Sequence, residues 1–125
     1  MHFPDHVDHY IREFAAGMGL VIGPAPKTSY TFTLQHSGIF TLTRAREAAA
    51  TVASLTFSPS SRREDELPDL VLAFAETEWA DGRLLHPAMS RGKVVLAVRI
   101  GDHAVSAAAL DNCLHRLVEL ARTIG

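Results

Sequence analysis

Between Lys93 and Ile124 the apolar pattern changes period once, and that change fixes most of what the chain can fold into. From Lys93 to Ile100, Val94, Leu96, Val98 and Ile100 alternate with Val95, Ala97 and Arg99. Period two of this kind marks a central strand with one face fully covered. Past Gly101, Leu110, Cys113, Leu114, Leu117, Val118, Ala121 and Ile124 return at three- and four-residue intervals, while Asp111, Asn112, His115, Arg116, Glu119 and Arg122 take the opposite side. A helix is therefore expected from near Ser106. The serine oxygen can accept from backbone donors left unpaired in the first turn, and the alanines that follow are strong helix formers. Burying each Leu or Val contributes roughly 1.5 to 3 kcal/mol as an upper bound, which a helix alone in water cannot gain. The helix must lie on the sheet.

Upstream, a first helix is expected from Asp5 to Met18, where Val7, Ile11, Phe14 and Met18 share one face and Gly17 and Gly19 supply the stop. Pro24 and Pro26 then mark a connection. Three strands follow: Tyr30, Phe32 and Leu34 alternate with Thr31, Thr33 and Gln35, Phe40 and Leu42 continue the pattern after a short link at His36 to Gly38, and Ala53, Leu55 and Phe57 form the third set. Together these predict an antiparallel meander. Ser58 to Glu66 is a polar loop rich in Ser and mixed charge. Leu67 to Trp79 reads as a helix with two apolar stripes. Leu67, Leu70, Val71 and Phe74 make one stripe; Leu72, Ala75 and Trp79 make another, turned by roughly 100°. Such a helix needs two partners: the protein's own sheet and, most simply, the same helix of a second copy, the alternative being a helix sandwiched within a monomer. A strand containing Pro87 and a hairpin turn at Ser90 to Lys93 complete the order α-β-β-β-α-β-β-α. This predicts an α+β two-layer sandwich built on an antiparallel sheet.

The length, 125 residues, suits a single domain spanning the whole chain. With 47% apolar and 21% charged residues, disorder is not the expected state. The net charge of -2, with Lys and Arg scattered, gives no footprint for nucleic acid. Apolar runs are too short for membrane insertion, and the first residues lack the pattern of a signal peptide, so a cytoplasmic location is expected. The lone Cys113 fits a reducing compartment.

Chemistry is sparse in the motifs. Of seven histidines, His2, His6 and His9 share a helix face with Glu13, a spacing that can chelate a metal but also describes a solvated face. The pairs Asp5-His6, Asp8-His9 and Asp102-His103 are sequence neighbours, which point apart on a helix. Cys113 lies on an apolar stripe and is expected as core filler. No nucleophile elbow, zinc helix or phosphate loop is present, so no catalytic residue, metal ligand or cofactor is assigned and the chain is not expected to be an enzyme.

The opening helix HVDHYIREFAAGMGL, the strand KVVLAVRI with its short spacer, and the closing helix LDNCLHRLVELA, taken with the element order, resemble the class I type III secretion chaperones, the CesT-like group. YbjN-like proteins are similar in fold and leave a regulatory interaction module as an alternative function. The resemblance covers roughly Val7 to Ile124 and implies a homodimer that binds the N-terminal chaperone-binding segment of a secreted effector and keeps it competent for export. It places the dimer contact on Leu72, Ala75 and Trp79, with Leu85 of the neighbouring strand. It places effector anchoring on Val7, Ile11, Phe14, Phe32 and Phe40, each of which also fits the core; exposure separates the two readings. A different class remains open: a ligand-binding or enzymatic α+β domain, with a deep pocket between sheet and last helix anchored by His86 or His103.

Overall fold

A computed structural model of the chain describes residues 3–20, 28–34, 37–45, 49–58 and 85–124. Helix α1 spans Asp5–Gly17, strands β1 Ser29–Leu34, β2 Gly38–Arg44, β3 Ala50–Phe57, β4 Leu85–Ser90 and β5 Lys93–Gly101 follow, and a one-turn 3-10 helix at Asp102–Ala104 leads into α2, Ala107–Ile124. The expected helix Leu67 to Trp79, with Leu72, Ala75 and Trp79, lies outside the described residues. Every other expected element is present.

α1 ends at Gly17, one residue short of the expected end, because Met18 caps it and Gly19 follows with a positive φ of 76°. Its N-terminus has no side-chain cap; Pro4 holds an extended backbone, and Asp5 and Asp8 place negative charge where the first-turn donors are unpaired. α2 begins as its sequence indicates: the Ser106 hydroxyl accepts from the Ala109 amide at 3.0 Å.

The sheet is antiparallel throughout between neighbours, in the order β1-β2-β3-β5-β4. β5 is an interior strand next to the edge, not the middle one, which is β3; β3 and β4 run parallel to each other on either side of it. β1 and β2 are joined through Gly38, whose φ of 116° is unfavourable for any side chain and whose added Cβ would meet the Thr56 carbonyl. Register puts Phe32, Phe40, Leu55 and Leu96 in one inward row and Tyr30, Leu42, Ala53, Val98 and Leu85 in the next.

α1 and α2 pack against each other and onto this inward face, and one hydrophobic cluster joins Val7, Ile11 and Phe14 of α1 with Leu110, Cys113, Leu114 and Leu117 of α2 and the inward strand residues. At its centre Phe14 meets Phe32 and Phe40 with ring centroids 5.8 Å away in each case. Helices over one face of an antiparallel sheet make the α+β two-layer arrangement expected above.

Candidate functional site

Burial by this chain alone sorts the residues singled out in the sequence. Val7, Ile11 and Phe40 are 0% exposed, Phe14 4% and Phe32 5%. The structure therefore places all five in the core rather than on a surface. The helical stripe of Val7, Ile11 and Phe14 and the strand alternation of Phe32 and Phe40 mark a covered face, and periodicity alone does not distinguish a covered face from a groove. Leu85 is likewise buried, beside Val98. Leu72, Ala75 and Trp79 fall outside the described residues.

Beside the solvent-facing sides of the two helices, the described residues present the sheet edges and its outward face. Among the described residues β1 and β4 are the two edges. β4 is open on more than its edge: His86 and Ala88 are exposed on the outward side, and Met89, whose parity is inward, is 37% exposed. The outward face is crossed by three rows, Thr33-Ile39-Thr56-Val95-Ala88, Thr31-Thr41-Ser54-Ala97-His86 and Ser29-Thr43-Val52-Arg99. Hydroxyls dominate over β1 to β3, and small aliphatic side chains over β5 and β4. Ile39 is the large apolar residue most open to solvent there.

Two polar junctions lock α1 and the start of α2 onto the sheet, and neither was foreseen. Tyr30 of β1 donates its hydroxyl to the Asp8 carboxylate of α1, which also takes Arg12 Nε at 2.7 Å. Partial burial works to raise the Asp8 pKa, but the hydrogen bonds from Tyr30 and Arg12 and the Arg12 charge outweigh it and hold it below the usual value. The Tyr30 hydroxyl is pushed up to about 12 by burial and by its bond to the Asp8 carboxylate. At the far end of β2, Arg44 bonds both carboxylate oxygens of Asp102, one of them at 2.8 Å from Nη2. The hydrogen bonds from Arg44 pull the Asp102 pKa down against its own burial. His6 of α1 donates from Nε2 to the Asp102 carbonyl at 3.2 Å. These junctions join residues separated by 22 and 58 positions, so no local pattern announces them.

The remaining chemical candidates stay apart. His9 approaches Glu13 at 4.0 Å and His115 approaches Asp111 at 3.4 Å, both as exposed helical pairs one turn apart. Among the described residues no three His, Cys, Asp or Glu side chains gather as metal ligands, and His2 lies outside them. His86 and His103 are both exposed and belong to different elements. Cys113 is buried in the core, as its stripe implied. No helix among the described residues is long and apolar enough to cross a membrane.

No protein-family model and no curated relative matches the chain. Solved structures do. The type III secretion chaperone SycH of Yersinia pestis, crystallised with a stable fragment of YscM2, superposes with a TM-score of 0.70 at 17% identity, over 95% of this chain and 99% of that one. A chain of the ExoT-SpcS complex of Pseudomonas aeruginosa gives 0.65 at 10% identity, over 96% and 98%. A chain of the heterodimeric ExoU-SpcU complex from the type III secretion system of the same organism gives 0.61 at 16%, over 91% and 93%. The chain thus has the fold seen in type III secretion chaperones along nearly its whole length.

Proposed function

We propose that this chain is a class I type III secretion chaperone, which acts in the bacterial cytoplasm as a homodimer and holds the N-terminal segment of a secreted effector ready for export. The observation that carries this reading is the end-to-end likeness to SycH, a chaperone crystallised with a piece of another protein, with almost no residue of either chain left over. Its work is contact, not catalysis, and no metal or cofactor takes part.

With the five aromatic and aliphatic candidates in the core, their role is to hold the surface in shape. The client meets the open edges and outward side of the sheet they support. Strand addition suits an edge because main-chain bonds supply affinity without demanding a particular sequence. The inward side of β4 fits the contact between copies: an edge strand that leaves Met89 37% exposed is a liability unless covered.

Co-purification from the native host tests the function. The expected result is a secreted protein recovered with the chain through its N-terminal region and lost when that region is deleted. Recovery of the chain alone at every stage of secretion would count against the reading. A secretion operon beside the gene further separates a chaperone from a YbjN-like module.

A further inference from the structure

Among the described residues, charge is segregated by layer. The five strands contain no Asp or Glu, whereas every described carboxylate belongs to α1, α2 or the 3-10 turn: Asp5, Asp8, Glu13, Asp102, Asp111 and Glu119. Of the sheet's cations, Arg44 is engaged by Asp102. Arg91, Lys93 and Arg99 are exposed on the β4-β5 hairpin, and none of them makes an ion pair with a described carboxylate.

Two of these cations share a line. Outward along β5 the order is Lys93, Val95, Ala97, Arg99, a cation at each end and apolar groups between. At about 3.4 Å per residue the two charges stand about 20 Å apart. Ala88 lies beside Val95 and His86 beside Ala97 on one flank, and Thr56 and Ser54 lie beside the same two residues on the other. We infer that this outward strip of β5 and β4 docks an acidic, extended segment of the protein partner, with carboxylates meeting Lys93 and Arg99 and small apolar side chains resting on Val95, Ala97 and Ala88. Because an extended ligand has the same rise as the strand, its carboxylates sit six residues apart.

The inference rests on the reading of the chain as a protein-binding chaperone and adds the chemistry of the segment it takes. A nucleic acid fits less well. Among the described residues the outward face carries no Phe, Tyr or Trp on which bases could stack, and two cations with hydroxyl and aliphatic neighbours make a poor phosphate track.

The probe is a fluorescein-labelled peptide, Ser-Glu-Thr-Val-Ser-Ala-Thr-Glu-Ser, with its Gln-for-Glu counterpart as control, followed by anisotropy against the purified full chain. The expected result is binding of the Glu peptide that weakens about tenfold when Lys93→Glu and Arg99→Glu are combined, weakens likewise from about 50 to about 500 mM salt, and is unchanged by Arg122→Glu on α2. The neutral pair Lys93→Gln with Arg99→Gln, checked for native circular dichroism, gives the same loss without a new repulsion. Carbodiimide coupling supplies a second readout: the chain has two lysines, Lys27 and Lys93, and an amide between the peptide and Lys93 is expected.

Equal binding by the charge variants, no binding by the native chain, coupling at Lys27 alone, or displacement by a single-stranded oligonucleotide at lower concentration than the unlabelled peptide would each overturn the inference. So would capture of a secreted client equally by the native chain and the double variant, an outcome that leaves the chaperone reading standing. Peptide docking by a chain that holds no secreted client would instead uphold the docking strip and remove the chaperone.

Discussion

Asp102 draws polar contacts from α1, from β2 and from the residue before β3. Its carboxylate takes Arg44 from the end of β2, its carbonyl takes His6 from α1, and its amide donates to the Ala49 carbonyl ahead of β3. Arg44 and Asp102 are both largely buried, with side chains 12% and 15% exposed, so deleting one partner strands the other away from water. The Asp102→Asn variant is expected to lose about 2 kcal/mol at neutral pH, the scale of a hydrogen bond to a charged group. The pH dependence has a definite sign. Because the folded-state pKa of Asp102 lies below its ordinary value of 3.8, the unfolded chain binds the proton more readily, and the pair's contribution is complete well above that value and lost as pH falls through the folded pKa. Urea denaturation between pH 7 and pH 3 checks this: the difference between native chain and variant should be constant near neutrality and shrink below about pH 4. A difference that grows on acidification would show that another group governs this junction. No reading of the sequence could name this pair, since adjacency suggested Asp102 with His103 while the partner in space lies 58 positions away.

At the scale of elements, what the sequence made legible was periodicity, and what it hid was cover. The shift from period two to period 3.6 located β5 and α2 to within a residue or two, because both elements bury one face and expose the other. The same logic found β1 to β3. It gave no sign of the 3-10 turn at Asp102–Ala104, which owes its conformation to contacts from α1, β2 and the start of β3. Nor did it separate core from groove for Val7, Ile11, Phe14, Phe32 and Phe40, since an inward side chain looks alike whether a helix or a client lies over it. α2 offers a quantitative test of which of its features matter. Ser106→Ala removes one capping bond at an end where water can substitute, and should cost about 1 kcal/mol. Leu117→Ala empties a fully buried site between α2 and the sheet and should cost about 3 kcal/mol. Chemical denaturation of both variants checks the order; a cap worth more than the leucine would mean that α2 is held by its N-terminus and not by its buried stripe.

For the whole molecule, the decisive question is how many copies act together, and two independent features bear on it. Read as a helix, the sequence Leu67 to Trp79 has two apolar stripes, more than one sheet can cover, and β4, the next described element, leaves Met89 37% exposed on its inward side. In the proposed homodimer, a two-fold contact through these segments would use the same patch on each copy. Leu85, also expected at that contact, is 1% exposed in the single chain, beside Val98 of β5. Met89 is the β4 residue proposed in its stead. Trp79→Glu puts a charge into a contact that is otherwise apolar, where an unpaired carboxylate is costly, and should shift the protein from dimer to monomer in sedimentation velocity. Because Trp79 could instead support the fold of its own chain, Met89→Glu provides the matched test: that side chain is already open to solvent in the single chain, so the substitution leaves the monomer's circular dichroism and thermal midpoint intact while weakening association. A stable dimer in both variants would move the interface elsewhere on the surface.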